Sequence, residues 1–173
     1  KKIDAVAIAV PPFLHKEIIK FAIKKNKHIF CEKPLACSFD DANFLCNLIK
    51  NKKISHMVNY EFVDIDAFQF FKKKFGKNLN IRKIYLNWFI NLRKRPNYSW
   101  KENHSKGGGI FFNYICHAIY YMEFLFGKIV CVNTNILSKT KVNIKTLKGK
   151  IFFENGMSAK LDIKVGNIKK KIT

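Results

Sequence analysis

The order of the apolar segments near the start of the chain constrains the fold more than any other feature. Residues 3–10 read I-D-A-V-A-I-A-V, apolar at nearly every position, and stop at Pro11-Pro12. A strand that is apolar on both faces fits a parallel sheet, covered on both sides, better than a half-solvated antiparallel one. Phe13 to Asn26 then follows a helical period, with Phe13, Ile18, Phe21 and Ala22 expected on one face and lysines opposite. His28 to Cys31, H-I-F-C, is a second short apolar strand, ending at Glu32-Lys33-Pro34. Ser38 precedes Asp40-Asp41 and an apolar period through Phe44, Leu45, Leu48 and Ile49. That pattern is a helix with a side-chain N-cap and acids at its positive end. Ile54 to Tyr60 is a third strand. Strand, helix, strand, helix, strand dictates a parallel sheet with crossover helices.

Beyond Tyr60 the pattern changes. Asp64 to Phe75 reads as a helix closed by Gly76, and Ile81 to Leu92 alternates with Ile84, Leu86, Trp88 and Ile90 on one face. A polar loop, Arg93 to Lys106, leads to Gly107-Gly108-Gly109 and a strongly apolar helix, Ile110 to Phe126, ended by Gly127 as a C′ residue. Ile129–Ile136, Asn143–Leu147, Gly149–Phe153 and Met157–Val165 read as strands, with Asn155-Gly156 as a hairpin turn. The second part is therefore α+β with a mainly antiparallel open sheet. The sequence divides into residues 1–62 and 63–173.

Charge raises a competing reading. Lysine and arginine total 33 against 12 acids, a formal net charge of +21. Such an excess suits a nucleic-acid-binding module. The lysines, however, are spread along the whole chain in short runs such as Lys72-Lys73-Lys74 and Lys169-Lys170-Lys171, with no basic arm and no stacking motif. Solvated lysine faces account for them, and a nucleic-acid partner is not expected. The five cysteines, Cys31, Cys37, Cys46, Cys116 and Cys131, are odd in number and form no C-x-x-C pair, which argues against a disulfide framework and for a reducing, cytoplasmic setting. No apolar stretch approaches the ~20 residues of a membrane helix. The chain opens on a strand-like segment with no initiator Met, so the expectation is a piece of a longer protein.

In open parallel sheets, ligands bind beyond the carboxyl ends of the strands. Val10-Pro11-Pro12 and Cys31-Glu32-Lys33-Pro34 close two such strands, and Lys33 projects there; the bland alternative is one more surface lysine. His117 lies mid-helix, with Asn113 one turn before it on the same face. An oriented histidine suits a general base, but a satisfied core histidine fits the same pattern. The glycine triplet is either an anion site at a helix start or a turn that lets the backbone pack closely. Trp100-Lys101 either lines a pocket or anchors the loop. His15 and His28 read as structural or solvent-facing. Cys116-His117 has no second ligand pair at a usable spacing, so no metal site is expected.

Taken in order, I-D-A-V-A-I-A-V-P-P-x-x-H, then A-I-K-K-N-K-H-I-F-C-E-K-P-L-A, then G-G-G-I-F-F-N-Y-I-C-H resemble the glucose-fructose oxidoreductase / inositol dehydrogenase / MocA family. The resemblance covers nearly the whole chain. It implies the later part of a Rossmann domain followed by part of an α/β domain whose open sheet commonly supports homo-oligomers. It implies NAD or NADP as cofactor and hydride transfer at a hydroxyl of a sugar, cyclitol or nucleotide sugar. By the same resemblance Lys33 and His117 are catalytic, and Pro11, Pro12, His15, Glu32, Lys33 and Pro34 lie at the cofactor. Tyr60, Tyr98, Trp100, Lys101 and Asn113 join Lys33 and His117 at the substrate. Many members carry Asp where this chain has Asn113, and an acid where it has Tyr120. Members with Asn here include relatives acting on nucleotide-linked sugars, as does the pattern Tyr98-Ser99-Trp100-Lys101, which turns the expectation towards a nucleotide-sugar or amino-sugar substrate. The family's G-x-G-x-x-G turn is absent from these residues, so weak NAD binding and no turnover are expected of the chain alone. Two other readings stay open: a non-catalytic sugar-binding or partner subunit of the same fold, and the basic nucleic-acid module.

Overall fold

Small and β-branched residues, A-V-A-I, form β1 (Ala5–Ile8), the first strand of a computed structural model that describes residues 3–75, 81–91, 100–139 and 144–166. It pairs in parallel with β2 (His28–Glu32), which pairs in parallel with β3 (His56–Asn59), in the order β1-β2-β3. The crossovers are α1 (His15–Lys24) and α2 (Phe39–Ile49). A 3-10 turn, Pro12–Leu14, feeds α1 directly; Pro12 has no N–H to leave orphaned at such a start. The chain leaves α1 through Asn26 at φ 50°, a conformation asparagine tolerates. Ser38 caps α2, its hydroxyl accepting the Asp41 N–H at 3.2 Å.

The buried stripe of α1 is His15, Ile19, Ala22 and Ile23, which corrects the face expected from sequence. Phe21 is 64% exposed, and Phe13 lies in the 3-10 turn, out of phase with the helix. In α2 the buried residue is Leu45, while Phe44 and Leu48 are exposed. These side chains close over Ile8, Ile29 and Cys31 on one face of the parallel sheet. Phe30 and Met57 stand exposed on the other face.

A second unit contains α3 (Asp66–Phe75), β4 (Lys83–Asn91), α4 (Cys116–Phe126), β5 (Ile129–Lys139), β6 (Ile144–Phe153) and β7 (Ser158–Gly166). The sheet order is β4-β7-β6-β5. The β5–β6 and β6–β7 pairings are antiparallel, as the alternation implies, whereas β4–β7 is parallel, so the sheet is mixed. Asn155-Gly156 turns β6 into β7, with Gly156 at φ 83°. Gly149 does not separate two strands as expected; β6 runs through it. A Cβ there would lie 2.7 Å from Thr134 Cγ2 and 3.0 Å from the Asn133 carbonyl, so glycine is what lets β5 lie alongside. Ile84, Leu86, Trp88 and Ile90 share the more buried face of β4, next to Ala159, Leu161 and Ile163 of β7. On the helical side, Phe68 meets Tyr121, and Phe126 meets both Phe71 and Phe153.

Contacts divide the described chain into residues up to 61 with 100–116, and residues 62–91 with 117–166. The sequence suggests one cut after residue 62; the return of 100–116 to the first unit is a tertiary fact that no local pattern carries. Gly76 lies outside the described residues. Among the described residues no helix is long and apolar enough to cross a membrane.

Candidate functional site

The three parallel strands of the first unit end close together at Ile8, Glu32 and Asn59, as the register requires. The turn after β2 carries Lys33, held on both sides. Glu32 Oε1 accepts a hydrogen bond from Asn59 Nδ2 at 2.8 Å. On the other side the Pro34 carbonyl lies 2.9 Å from His15 Nδ1, and the Val10 carbonyl lies 2.9 Å from His15 Nε2. The Lys33–Pro34 peptide is cis. Lys33 itself is half-buried, and its Nζ donates to the Asn113 carbonyl at 3.0 Å and the Phe112 carbonyl at 3.4 Å.

Those carbonyls are available for a backbone reason. The helix expected from Ile110 opens as a π turn, Phe111–Ile115, before becoming α4. The Cys116 N–H reaches back to Phe111 as well as to Tyr114 rather than closing a regular turn onto Phe112. The Phe112 carbonyl therefore accepts from Lys33 Nζ and from Cys116 Sγ, the latter at 2.9 Å. Single π turns of this kind recur at functional sites.

The glycine triplet resolves as close packing. A Cβ on Gly107, which sits at φ 77°, would lie 2.4 Å from Pro12 Cβ, and one on Gly108 would lie 2.2 Å from the Trp100 carbonyl. All three glycines are buried. Asn113 Nδ2 donates to the Lys101 carbonyl at 2.8 Å, which ties the π turn to the 3-10 turn Trp100–Glu102. Lys101 is exposed, with its Nζ 5.7 Å from the Trp100 ring centre. Pro12 is buried, Pro11 and Tyr60 are half-buried, and Tyr98 lies outside the described residues.

His15 takes the structural one of its two places, structural or solvent-facing, expected from the residues alone. It has no exposed surface, and its two ring nitrogens face backbone carbonyls. His28 is exposed, and its Nδ1 accepts the Ser55 N–H at 2.8 Å. Cys31 Sγ lies 3.4 Å from His15 Nδ1. Burial pushes its thiol up to about 12, with a smaller contribution from the Glu32 charge, so it stays protonated at neutral pH. In the second unit, His117 is buried in the first turn of α4, edge-on to Phe62 at 4.8 Å between ring centres.

Lys33, Pro11, Pro12, Glu32, Pro34 and Asn113 all fall in one unit, with Lys33 and Asn113 in direct contact; His117 falls in the other. Sequence reasoning missed Asn59 and the Phe112 carbonyl. Asn59 was within reach, because a polar residue at the carboxyl end of a third parallel strand stands beside its neighbour's last residue. An open apolar cavity of about 490 Å³, lined by residues such as Leu45, Ile49, Met57 and Val58, holds none of the expected site residues. Among the described residues no group of three or more His, Cys, Asp or Glu is placed to hold a metal ion, and the five cysteines are free.

Two family descriptions match the chain: "Oxidoreductase family, NAD-binding Rossmann fold" over residues 1–60, and "Oxidoreductase family, C-terminal alpha/beta domain" over residues 77–168. A levoglucosan dehydrogenase of Pseudarthrobacter phenanthrenivorans is 34% identical over 76% of this chain and 35% of its own length. An uncharacterized oxidoreductase of Synechocystis sp. is 30% identical over 78% of this chain and 38% of its own length. The solved structure of a levoglucosan dehydrogenase in complex with NADH superposes with a TM-score of 0.84 at 26% identity, covering 94% of this chain and 48% of that one. The chain thus spans less than half the length of each of these relatives.

Proposed function

The chain belongs to the glucose-fructose oxidoreductase / inositol dehydrogenase / MocA family of oxidoreductases, and on that footing we propose that it forms part of an NAD- or NADP-dependent dehydrogenase acting on a hydroxyl of a sugar, cyclitol or nucleotide sugar. The observation that carries the reading is the anchored Lys33. Its loop is fixed at Glu32 by Asn59 and at Pro34 by His15, and its amine lies on the Asn113 carbonyl at 3.0 Å. A solvated surface lysine needs none of these restraints.

The fit to a nicotinamide dinucleotide rests on the strand ends. Val10-Pro11, Glu32-Lys33-Pro34 and Asn59-Tyr60 follow the carboxyl ends of three parallel strands, where such sheets bind dinucleotides. The bound cofactor supplies the hydride acceptor or donor. Of the chain's own groups, Lys33 donates a hydrogen bond to the substrate oxygen and stabilises negative charge developing on it. His117 takes the proton from that hydroxyl, or returns it in the reverse direction. Asn113, a neutral amide, holds the π turn to the Trp100–Glu102 turn through the Lys101 carbonyl. Its neutrality and the Trp100-Lys101 pair support a nucleotide-sugar or amino-sugar substrate. The outward face of the second sheet, where Tyr85 and Phe89 are 65% and 50% exposed, suits self-association.

The test is an assay of the protein expressed at full length from its coding sequence, with NAD and NADP offered separately against a panel of sugars, cyclitols and nucleotide sugars. Lys33→Ala and His117→Ala are each expected to lower turnover by roughly 10²-fold or more, the usual worth of a positioned acid or base. Turnover by both variants at the parental rate means that Lys33 and His117 do not carry the reaction, and no turnover by the parent with any member of the panel means that the non-catalytic reading holds.

A further inference from the structure

We propose that His15 is the positioning residue for Lys33: a buried imidazole that ties the turn after β1 to the turn after β2 and so fixes where the lysine amine sits. The inference rests on the role given to Lys33 above.

The two carbonyls at the ring belong to Val10 and Pro34, each beyond the end of its own strand, where the β ladder offers no partner. A backbone carbonyl left unpaired in a buried place costs about as much as a lost hydrogen bond. His15, in the first turn of α1 and with no exposed surface of its own, brings a donor to one of the two in either neutral tautomer. Whichever tautomer it holds, one ring N–H donates to a carbonyl at 2.9 Å. Cys31 completes the seat, its Sγ 3.4 Å from Nδ1 and donating to the Glu32 carbonyl at 3.2 Å. A hydrophobic side chain of the same volume fills the space and offers neither carbonyl a donor. The consequence lands on Lys33, because Pro34 is its covalent neighbour and Asn59 already pins Glu32 on the other side. With both neighbours fixed, the reach of the Lys33 side chain ends at the Phe112 and Asn113 carbonyls. With Pro34 released, the same side chain swings from one anchored end only.

Two readouts test this. The first is the rate at which an amine-acylating reagent modifies Lys33, measured by peptide mass relative to the other lysines of the same chain. It needs no activity. The second is kcat against KM in the full-length protein. The variants are His15→Ala, His15→Gln, which keeps an N–H donor, and Leu45→Ala, a core hole in the same unit that touches neither the Val10 nor the Pro34 hydrogen bond. His15→Ala is expected to change relative Lys33 labelling several-fold and to lower kcat by roughly 10²-fold with a smaller change in KM, the signature of a misplaced reacting group. His15→Gln is expected to recover much of both. Leu45→Ala is expected to lower the melting temperature while leaving both readouts near parental. The proposal is overturned if His15→Ala alters Lys33 labelling no more than Leu45→Ala does, since the histidine is then only core. Should His15→Ala fail to fold, His15→Gln carries the comparison: intermediate labelling supports the proposal, and labelling like Leu45→Ala overturns it. If the parent shows no turnover at all, the dehydrogenase reading falls, and the labelling comparison alone decides whether His15 positions Lys33.

Discussion

The two sheets of this molecule are built for different work. The parallel sheet has strands of four and five residues, and much of what fixes it lies past their ends, in Asn59 on Glu32 and in His15 on Val10 and Pro34. The mixed sheet has strands of nine to eleven residues joined by long ladders, that of β4 and β7 running their full length. Its inner face stacks in cross-strand rows, Ile84–Ala159–Ile151–Val132 and Leu86–Leu161–Gly149–Thr134. Long ladders and continuous rows resist distortion but leave few groups free to meet a ligand. Short parallel strands leave their carboxyl ends open, and side chains must then hold those ends in place. The difference teaches where substitutions separate activity from stability.

The largest expected effect sharpens that separation. Lys33→Ala lowers turnover by roughly 10²-fold or more while leaving the melting curve close to parental, because the lysine is half-buried and fills no core position. Ile163→Ala does the reverse. Ile163 has no exposed surface in the central strand β7, so the hole costs about 2–5 kcal/mol of stability and acts on turnover only through the folded fraction. Thermal melts beside kcat at a temperature where both variants are folded check the pair. A Lys33→Ala protein that melts far below the parent breaks the comparison.

Next in size is an alkaline effect confined to the parallel sheet. The Cys31 thiol is held at about 12 against an ordinary value of 9.0, chiefly by burial. Between those two values the unfolded chain has released this proton and the folded chain retains it, so stability falls as pH rises through the window. Below pH 9 the group contributes no slope. A displacement of that size is worth on the order of a few kcal/mol. Urea titrations across the window are expected to show a shallower decline in Cys31→Ala than in the parent. The lysines and tyrosines titrate in both proteins, so the difference between the slopes isolates the thiol.

Legibility from sequence follows the same division. The parallel unit could be read strand by strand, because short apolar runs punctuated by Pro11-Pro12 and by Glu32-Lys33-Pro34 leave little else to build. Lys33 was legible as a strand-end residue. The burial of His15 was legible only as one of two alternatives, structural or solvent-facing, because the carbonyls that decide between them are not neighbours in sequence. The π turn was invisible because it is a shift in backbone hydrogen bonding, and F-F-N-Y-I-C-H keeps an apolar pattern under either register. In the mixed sheet, alternation gave the faces of β4, and Asn155-Gly156 gave a hairpin. The parallel partner of β4 is β7, some 70 residues along the chain, and no local period carries a pairing that distant. Gly149 misled because a glycine inside a strand reads as a break when its real cause is a neighbour's backbone.

A smaller effect sets glycine against glycine. Gly108→Ala places its Cβ 2.2 Å from the Trp100 carbonyl and 2.6 Å from the Lys101 carbonyl carbon, both backbone atoms. Relief has to come from moving the turn that Asn113 holds, at about 1–3 kcal/mol for an overpacked site. Gly156→Ala meets no atom within 4 Å and bears only the left-handed strain of φ 83°, about 1–2 kcal/mol. The two losses overlap in size but not in kind. Gly108→Ala is expected to change Lys33 labelling along with stability, and Gly156→Ala stability alone. Unchanged labelling in Gly108→Ala means the 3-10 turn gives way without disturbing the π turn.

The smallest effect concerns how helices begin. The helix α2 starts on a side chain: Ser38 Oγ accepts the Asp41 N–H at 3.2 Å, and the Ser38 carbonyl accepts the Ala42 N–H at 3.1 Å. Asp41 adds an ion pair to Lys16 of α1 at 2.5 Å, and that hydrogen bond is the main reason its carboxyl sits below the usual carboxylate range. Both partners are more than a third exposed at the side chain, so the pair guides the α1–α2 packing more than it stabilises it. By contrast α4 grows out of the π turn, whose backbone carbonyls take the place of a side-chain cap. Ser38→Ala removes the cap and leaves the ion pair, so it is expected to cost about 1 kcal/mol. In a unit of this size that is roughly 4–8 °C in melting temperature. Ser38→Asp, which also accepts from the N2 or N3 amide, restores it. A loss as large as that of Ile163→Ala means that the start of α2 is coupled to the Lys33 turn through Leu35 to Cys37. Strand ends and helix starts then form a single cooperative edge, and the two sheets differ in how far a local change travels as well as in how they are built.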